Sequence, residues 1–252
     1  MIVQKVFDLL NTLAPFDTQM GFDNAGMLIG SKTKEVHKIG VVLDVTFDAV
    51  MYAQEQGIDL IISHHPVIFS GLKSVEEESV VYSLIQKNIA VISAHTNLDA
   101  AENGVNQVLA QTLGLQGITP LGLPGESTPP MGRVGVLSTP LSCEEFACLV
   151  KEKLATRVKF VNTKNTITKV AVCGGAGEDF ILPALKVGAQ ALVTADVKHH
   201  NLLLAQSLGL MVMDAGHFET EQVVVPALAE QLQTKVEVPV VVIPQTAPAE
   251  YC

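Results

Sequence analysis

The chain has 252 residues and a net charge of -10 at pH 7, from 16 Lys plus Arg against 26 Asp plus Glu. Hydrophobic residues make up 48% and charged residues 17%, the balance of a globular protein with a real core, which excludes disordered, collagen-like and coiled-coil classes. The acidic total disfavours nucleic acid and membrane surfaces as partners, and no apolar stretch approaches the roughly 20 residues that span a bilayer.

Four cysteines are present and none forms a CxxC pair, which is typical of a reduced, cytoplasmic protein. The N-terminal segment lacks the pattern of a secretory signal. Its apolar residues instead predict one face of a helix, formed by Ile2, Val3, Val6, Leu9, Leu10 and Leu13.

Three nearly continuous apolar runs follow, at 38–44, 58–63 and 89–94. Such runs are typical of strands buried on both faces. The segments between them have helical periodicity, so the rhythm predicts parallel strands covered by helices. After a Pro- and Gly-rich break at 122–132, the same rhythm resumes with a helix from about Cys143 to Leu154 and further strands. We predict an α/β fold of two similar lobes with mostly parallel sheets, one spanning residues 1–126 and the other 127–252.

The second lobe repeats the first. When Lys38 is aligned with Lys169 without gaps, Gly57 falls on Gly188, and strand 58–63 falls on the next apolar run. Further along, the segment HTNLD (95–99) corresponds to HFETE (217–221), and each is a histidine with a carboxylate four residues later. These matches favour an internal duplication over the general similarity of parallel α/β units.

A pair of histidines, His64 and His65, directly follows strand 58–63. Functional groups gather at the carboxyl ends of strands in open α/β sheets. Because adjacent side chains of an extended segment point in different directions, the two imidazoles suit two ions better than one. Ordinary loop histidines are the alternative.

The segment HTNLD follows the next strand and should leave the same edge of the sheet. Asp99 offers a hard oxygen ligand, and its structural alternative is to cap the helix that follows. In HFETE, the helical spacing of His217 and Glu221 places them on one face; a solvated helix-end charge is the alternative for Glu221. His95 is the predicted catalytic residue, either as a proton carrier or as a side chain that supports the metal ligands, and direct binding of a metal by His95 is the alternative.

Three imidazoles and two carboxylates exceed what one tetrahedral catalytic site needs. We therefore predict two divalent cations per chain, with Glu221 as the bridging ligand. The mixture of nitrogen and oxygen suits zinc, iron or manganese better than calcium or magnesium. The predicted metal ligands are His64, His65, Asp99, His217 and Glu221.

Other candidates carry weaker signals. Asp44 is placed to orient a ligand histidine or to cap a helix. The glycine-rich segment CGGAGED (173–179) is a candidate phosphate loop, although it lacks the Walker A ending. Asp196, His199 and His200 follow another strand and are candidates to line the cleft. His37 lies in a polar turn and is expected to be exposed.

Several segments together resemble the GTP cyclohydrolase I type 2 homologue family, also called the Ngg-interacting-factor-like family. The matching pieces span almost the whole chain and are FDNAGMLIG (22–30), VVLDVT (41–46), ISHHP (62–66), HTNLD (95–99), GVNQVLAQTLGL (104–115), CGGAGED (173–179) and DAGHFETE (214–221). The resemblance implies a toroidal homohexamer with dinuclear metal sites and the same five ligands, in the short form of the family without its central insertion. Phe22 stands where the family commonly has Trp.

Two functions follow as hypotheses. The first is a metal-dependent hydrolase acting on a small molecule, a nucleotide or related compound, as the family name implies. The second is a non-enzymatic hexamer that binds or delivers metal or serves as a scaffold. A protein that binds metal but converts no substrate would favour the second hypothesis over the first.

Overall fold

The computed structural model of the chain describes residues 1–125 and 129–249. The chain forms two compact units. Of the described residues, the first contains 1–102 and 225–246, and the second contains 103–125, 129–224 and 247–249. The predicted boundary between residues 126 and 127 lies outside the described residues.

Each unit contains one β-sheet and several helices. The first unit begins with α1 (Val3–Leu13), β1 (Gly26–Ile29), β2 (Ile39–Val42), α2 (Phe47–Glu55), β3 (Leu60–Ser63), α3 (Val80–Gln86), β4 (Ala90–Ser93) and α4 (Thr96–Ala100). The second unit contains α5 (Val105–Thr112), β5 (Gln116–Leu121), β6 (Gly132–Leu141), α6 (Cys143–Leu154), β7 (Lys159–Phe160), β8 (Ile167–Val172), α7 (Ile181–Lys186), β9 (Ala191–Thr194), α8 (His199–Leu208), β10 (Met211–Asp214) and α9 (His217–Gln222). The chain continues with α10 (Val224–Gln233) and β11 (Val240–Val242).

The sheet of the first unit has the strand order β1-β4-β3-β2-β11. Its strands are parallel except β1, which pairs with β4 in the antiparallel direction. Helices α2 and α3 cover one face, where Val50 and Leu84 pack against Val42, Ile61 and Val91. Every residue of β2, β3 and β4 is buried, as the continuous apolar runs predicted.

The sheet of the second unit has the order β5-β6-β8-β9-β10-β7. Its central strands β8, β9 and β10 are parallel, and the flanking strands are antiparallel. One face packs against α5 and α6, with Phe146 in that core, and the other packs against α7 and α8. Helix α6 has the predicted bounds, and it begins at Cys143 because Ser142 and Glu145 form a capping box there.

The internal duplication is visible in matched hydrogen bonds. Ile39 pairs with Leu60 in the first unit, and the aligned Val170 pairs with Ala191 in the second. Lys38 donates from Nζ to the Gln56 carbonyl, whereas Lys169 donates to the Val187 carbonyl. The residues after those carbonyls are the aligned glycines Gly57 and Gly188, which both have positive φ and end a helix. The predicted α/β fold of two similar lobes is confirmed.

Some helices are shorter than the periodicity predicted. Helix α3 begins only at Val80, because the Ser79 side chain accepts from the Tyr82 amide and caps it there. The sequence from residue 217 to 233 has the character of one continuous helix, but it forms two helices, α9 and α10, separated at Val223. Among the described residues, no helix combines the length and apolar character needed to cross a membrane.

Candidate metal centre

His64 stands at the carboxyl end of β3, as predicted. Its amide continues the sheet by donating to the Val42 carbonyl, and the side chain is buried at 2% exposure. Nδ1 lies 2.9 Å from the Ala94 carbonyl oxygen and must donate to it, since a carbonyl only accepts. The ring is thereby fixed with Nε2 facing Asp99, whose Oδ1 is 3.6 Å away.

His65 is fixed by a carboxylate. Its Nδ1 lies 2.7 Å from Asp44 Oδ1. The helix-capping alternative for Asp44 is wrong, because Thr46 caps α2 by accepting from the Ala49 amide. Asp44 therefore orients a predicted ligand histidine, which is the role that its strand-end position suggested.

His95 is fixed by a residue that the sequence did not indicate, Asp23. The His95 Nδ1 lies 2.8 Å from Asp23 Oδ1, and Thr96 donates from both its amide and its hydroxyl to the other carboxylate oxygen. Burial alone would raise the pKa of Asp23, but the hydrogen bonds from His95 and Thr96 outweigh it and hold that pKa well below its usual range. Asp23 is thus a carboxylate that accepts the His95 N–H.

The three histidines of the first unit form one cluster. The ring centroids of His64 and His95 are 5.2 Å apart, and those of His65 and His95 are 5.5 Å apart. One nitrogen from each ring lies within 4.8 Å of the others, a spacing from which the three could hold a metal ion. His95, predicted as a proton carrier, therefore lies beside the predicted ligands.

Asp99 lies inside α4, close to the His64 ring. Its amide donates to the His95 carbonyl, so the helix brings the Asp99 carboxylate back toward the cluster. The alternative role as the cap of the next helix is wrong, because Gly104 occupies the N-cap of α5.

In the second unit, His217 and Glu221 form an ion pair on one face of α9, as their spacing predicted. His217 Nε2 lies 3.2 Å from Glu221 Oε2, and Glu221 is buried at 4% exposure. The hydrogen bond with Glu221 is the largest effect on the histidine and, against the opposing effect of burial, raises the pKa of His217 to about 9. On the other side of the ring, Nδ1 lies 2.7 Å from Asp196 Oδ2.

The glycine-rich segment 173–179 packs directly against this pair. A Cβ built on Gly175, which has φ +62°, would overlap Glu221 Oε1 and lie 3.1 Å from His217 Nε2. Glycine is therefore required for the backbone to approach the two side chains.

The same segment was a candidate phosphate loop, and its hydrogen bonds argue against that role. The amides of Gly174, Gly175 and Gly177 donate to Asn106 Oδ1, Thr220 Oγ1 and Thr194 Oγ1 respectively. Those three N–H groups are thus committed to side chains of the protein and are not presented to an anion.

The remaining histidines, His37, His199 and His200, are exposed. His199 and His200 are exposed in the first turn of α8, whereas their neighbour Asp196 contacts His217. His37 is exposed, as predicted, with Glu35 and Asp59 nearby.

Four histidines share one arrangement. Each has its Nδ1 next to an oxygen acceptor: Ala94 for His64, Asp44 for His65, Asp23 for His95 and Asp196 for His217. The acceptor at Nδ1 fixes the orientation of each ring and leaves Nε2 of His64, His65 and His95 as the lone-pair donor, which is the usual arrangement of metal-binding histidines. Nε2 of His217 instead faces Glu221 and would release a proton when it binds a metal. The residues therefore fit divalent metal ions.

Comparison with known proteins identifies the family of this chain. Residues 1–248 match the family Duf34/NIF3 (NGG1p interacting factor 3). This chain belongs to the Duf34/NIF3 family. The predicted family resemblance is thus confirmed. A GTP cyclohydrolase 1 type 2 homolog of Clostridium perfringens is 31% identical over 244 residues, which cover 94% of this chain and 93% of that protein.

Two further members of the comparison show similar coverage. The GTP cyclohydrolase 1 type 2 of Helicobacter pylori strain J99 is 34% identical over 242 residues, which cover 92% of each chain. The crystal structure of a hypothetical protein of Staphylococcus aureus matches with a TM-score of 0.95 and 30% identity, over 100% of this chain and 99% of that one. These two matches therefore cover at least 92% of each chain.

Proposed function

We propose that this Duf34/NIF3 protein binds two divalent metal ions per chain and acts as a metal-dependent hydrolase on a nucleotide or a related cyclic or phosphorylated compound. The proposed ligands are His64, His65, Asp99, His217 and Glu221. The observation that supports this most directly is the fixed Nδ1 of each of the three histidine ligands, which leaves Nε2 for a metal.

The donor set favours particular metals. Imidazole nitrogen combined with carboxylate oxygen suits zinc, iron or manganese, whereas calcium and magnesium prefer oxygen alone. When bound, such ions supply Lewis-acid chemistry for hydrolysis. The longer side chain of Glu221 makes it the proposed bridging ligand.

His95 is the proposed proton carrier. Asp23 holds the Nδ1–H of His95, so that Nε2 is the atom that exchanges a proton. A positioned general acid or base contributes typically 10²–10⁴-fold to a rate. We therefore expect His95→Ala to lower turnover on that scale while the chain retains metal.

The names of the relatives direct the first substrate trial to GTP. Protein loaded with zinc, iron or manganese is incubated with GTP and a panel of other nucleotides, and products are separated by chromatography. Turnover should disappear with chelator and in Asp99→Ala, whereas His37→Ala, which changes an exposed histidine, should retain it. Absence of turnover across the panel in metal-loaded protein would contradict the hydrolase.

The second candidate, a non-enzymatic protein that binds or delivers metal, makes the opposite prediction in the same samples. It requires full metal loading, ready exchange to a chelator and no product. The proposed assembly is a toroidal homohexamer in the cytoplasm, which rests on the resemblance of the sequence motifs. Light scattering of the metal-loaded protein tests the six-fold mass, and cell fractionation tests the location.

A further inference from the structure

Two phenylalanines of the first unit lie exposed beside each other. Phe22 is 64% exposed and Phe69 is 53% exposed, and their ring centroids are 6.5 Å apart with a tilt of 48°. Leu72 and Val75, on the same loop as Phe69, are also about half exposed. Grouped exposed apolar side chains with a polar margin commonly mark a place where something binds.

Buried polar groups hold both phenylalanine loops in place. Asp23, next to Phe22, has a fully buried carboxylate that accepts from His95 and Thr96. Asn24 donates from Nδ2 to the carbonyl of Ile68, next to Phe69, at 2.6 Å. The rings are therefore displayed to solvent from loops that hydrogen bonds fix, which is the arrangement of a preorganised binding surface.

The exposed pair continues into the histidine cluster. The Phe69 ring meets His95 edge to face, with centroids 6.2 Å apart, and His95 in turn lies beside His64 and His65. Because the two phenyl rings are tilted by 48°, a flat molecule can stack on one of them and contact the edge of the other. A molecule stacked on Phe69 would have one edge next to the imidazole of His95. The edge of the molecule would meet the His95 imidazole and the carboxylate behind it, whereas the face of the molecule would meet a phenyl ring.

We propose that Phe22 and Phe69 form a stacking platform for a nucleobase, the heteroaromatic ring of the substrate. A nucleobase has apolar faces and hydrogen-bonding edges, which match the phenyl faces and the adjacent His95. Stacking of a base on an aromatic side chain strengthens binding by about 5- to 150-fold per base. The choice of a nucleobase rests on the proposed action on nucleotides, whereas the platform itself rests on the positions of the rings.

The chain contains no Trp, so one introduced Trp gives a fluorescence signal from a single position. The full-length Phe22→Trp protein is titrated with guanosine, with GTP and with inorganic triphosphate. We expect saturable quenching by guanosine and GTP and none by triphosphate. Phe47→Trp is the matched control, because Phe47 is an exposed phenylalanine on α2, and it should not respond.

Substitutions of Phe69 in the Phe22→Trp background separate stacking from bulk. Phe69→Leu keeps an apolar side chain without a ring and should weaken guanosine binding about fivefold or more, whereas Phe69→Tyr keeps the ring and should retain the binding. Equal affinity in Phe69→Leu would overturn the platform. So would a blue-shifted emission of the introduced tryptophan that no nucleoside changes, since that indicates cover by a second copy of the chain.

Metal content measured on the same samples keeps the two proposals separate. If guanosine quenches the introduced tryptophan in a protein that also carries His64→Ala and has lost its metal, the platform stands without the metal site. If metal is bound at full content and no nucleoside quenches that tryptophan, the platform fails and the metal-binding proposal stands.

Discussion

Replacing Gly175 by alanine is the perturbation that most specifically disturbs the His217–Glu221 pair. The new Cβ would overlap Glu221 Oε1 and lie 3.1 Å from His217 Nε2, so the two side chains must move. The backbone adds a second cost, because φ is +62° and a left-handed conformation costs an L-residue roughly 1–2 kcal/mol.

A second glycine of the same unit, Gly188, provides a matched control. Gly188 has φ +76°, and a Cβ built there meets nothing within 4 Å. Gly188→Ala therefore carries the same backbone cost without touching the ligands. For a chain of this length, 1 kcal/mol lowers Tm by about 2–4 °C, so both variants should melt a few degrees lower in chelator.

Metal affinity should separate the two variants. Disturbing the surroundings of a metal ligand typically costs about 10–100-fold in affinity, and we expect a loss of that size in Gly175→Ala. Gly188→Ala should bind metal like the unchanged protein in a competition titration with a chelating dye. Equal metal affinity in both variants would refute the assignment of His217 and Glu221 as ligands.

Three further predictions concern single contacts. Asp44→Ala removes the acceptor of His65 Nδ1 and should weaken metal binding about 10–100-fold. Asp48→Ala, in the exposed first turn of α2, is the control and should not change metal binding. Equal effects of the two substitutions would contradict the role of Asp44. Hydrogen bonds from Lys198 lower the pKa of Glu178 to about 2, so this pair stabilises the fold above the ordinary pKa near 4.5 and loses its effect as pH falls toward 2. Glu178→Gln should therefore cost up to about 1 kcal/mol at pH 7, and urea titrations should show the difference shrinking at acid pH. Lys169→Met removes the Nζ donor to the Val187 carbonyl, and Lys38→Met removes the matching donor in the first unit. Each should lower the unfolding free energy by about 0.5–1.5 kcal/mol, because water can reach the carbonyl that loses its partner. An effect in only one unit would contradict their equivalence.

The sequence predicted the parts of the candidate site that follow strands. His64, His65 and His217 were found because continuous apolar runs identify buried parallel strands, whose carboxyl ends carry function. Asp44 was found by the same reasoning. Asp23 was missed, since it lies in a turn-rich segment and reaches His95 only through the folded chain. Its one signal was membership in the FDNAGMLIG motif.

Long-range pairing was also beyond the sequence. Strand β11 pairs in parallel with β2, although about two hundred positions separate Val240 from its partner Ile39. An apolar run such as residues 238–243 predicts a strand but does not indicate which sheet the strand joins. The glycines of 173–179 show the same limit, because glycine serves phosphate binding and close packing equally well. Only the acceptors of the three loop amides distinguished those two roles.

We propose that this chain binds two metal ions through Nε2 of His64, His65 and His217 and the carboxylates of Asp99 and Glu221. Elemental analysis of the purified protein together with a structure from anomalous scattering tests it most directly. We expect two metal equivalents per chain, with anomalous peaks within coordination distance, about 2.0–2.1 Å, of those Nε2 atoms. Metal-free protein after incubation with zinc, iron and manganese, or peaks confined to other residues such as His199 and His200, would contradict it.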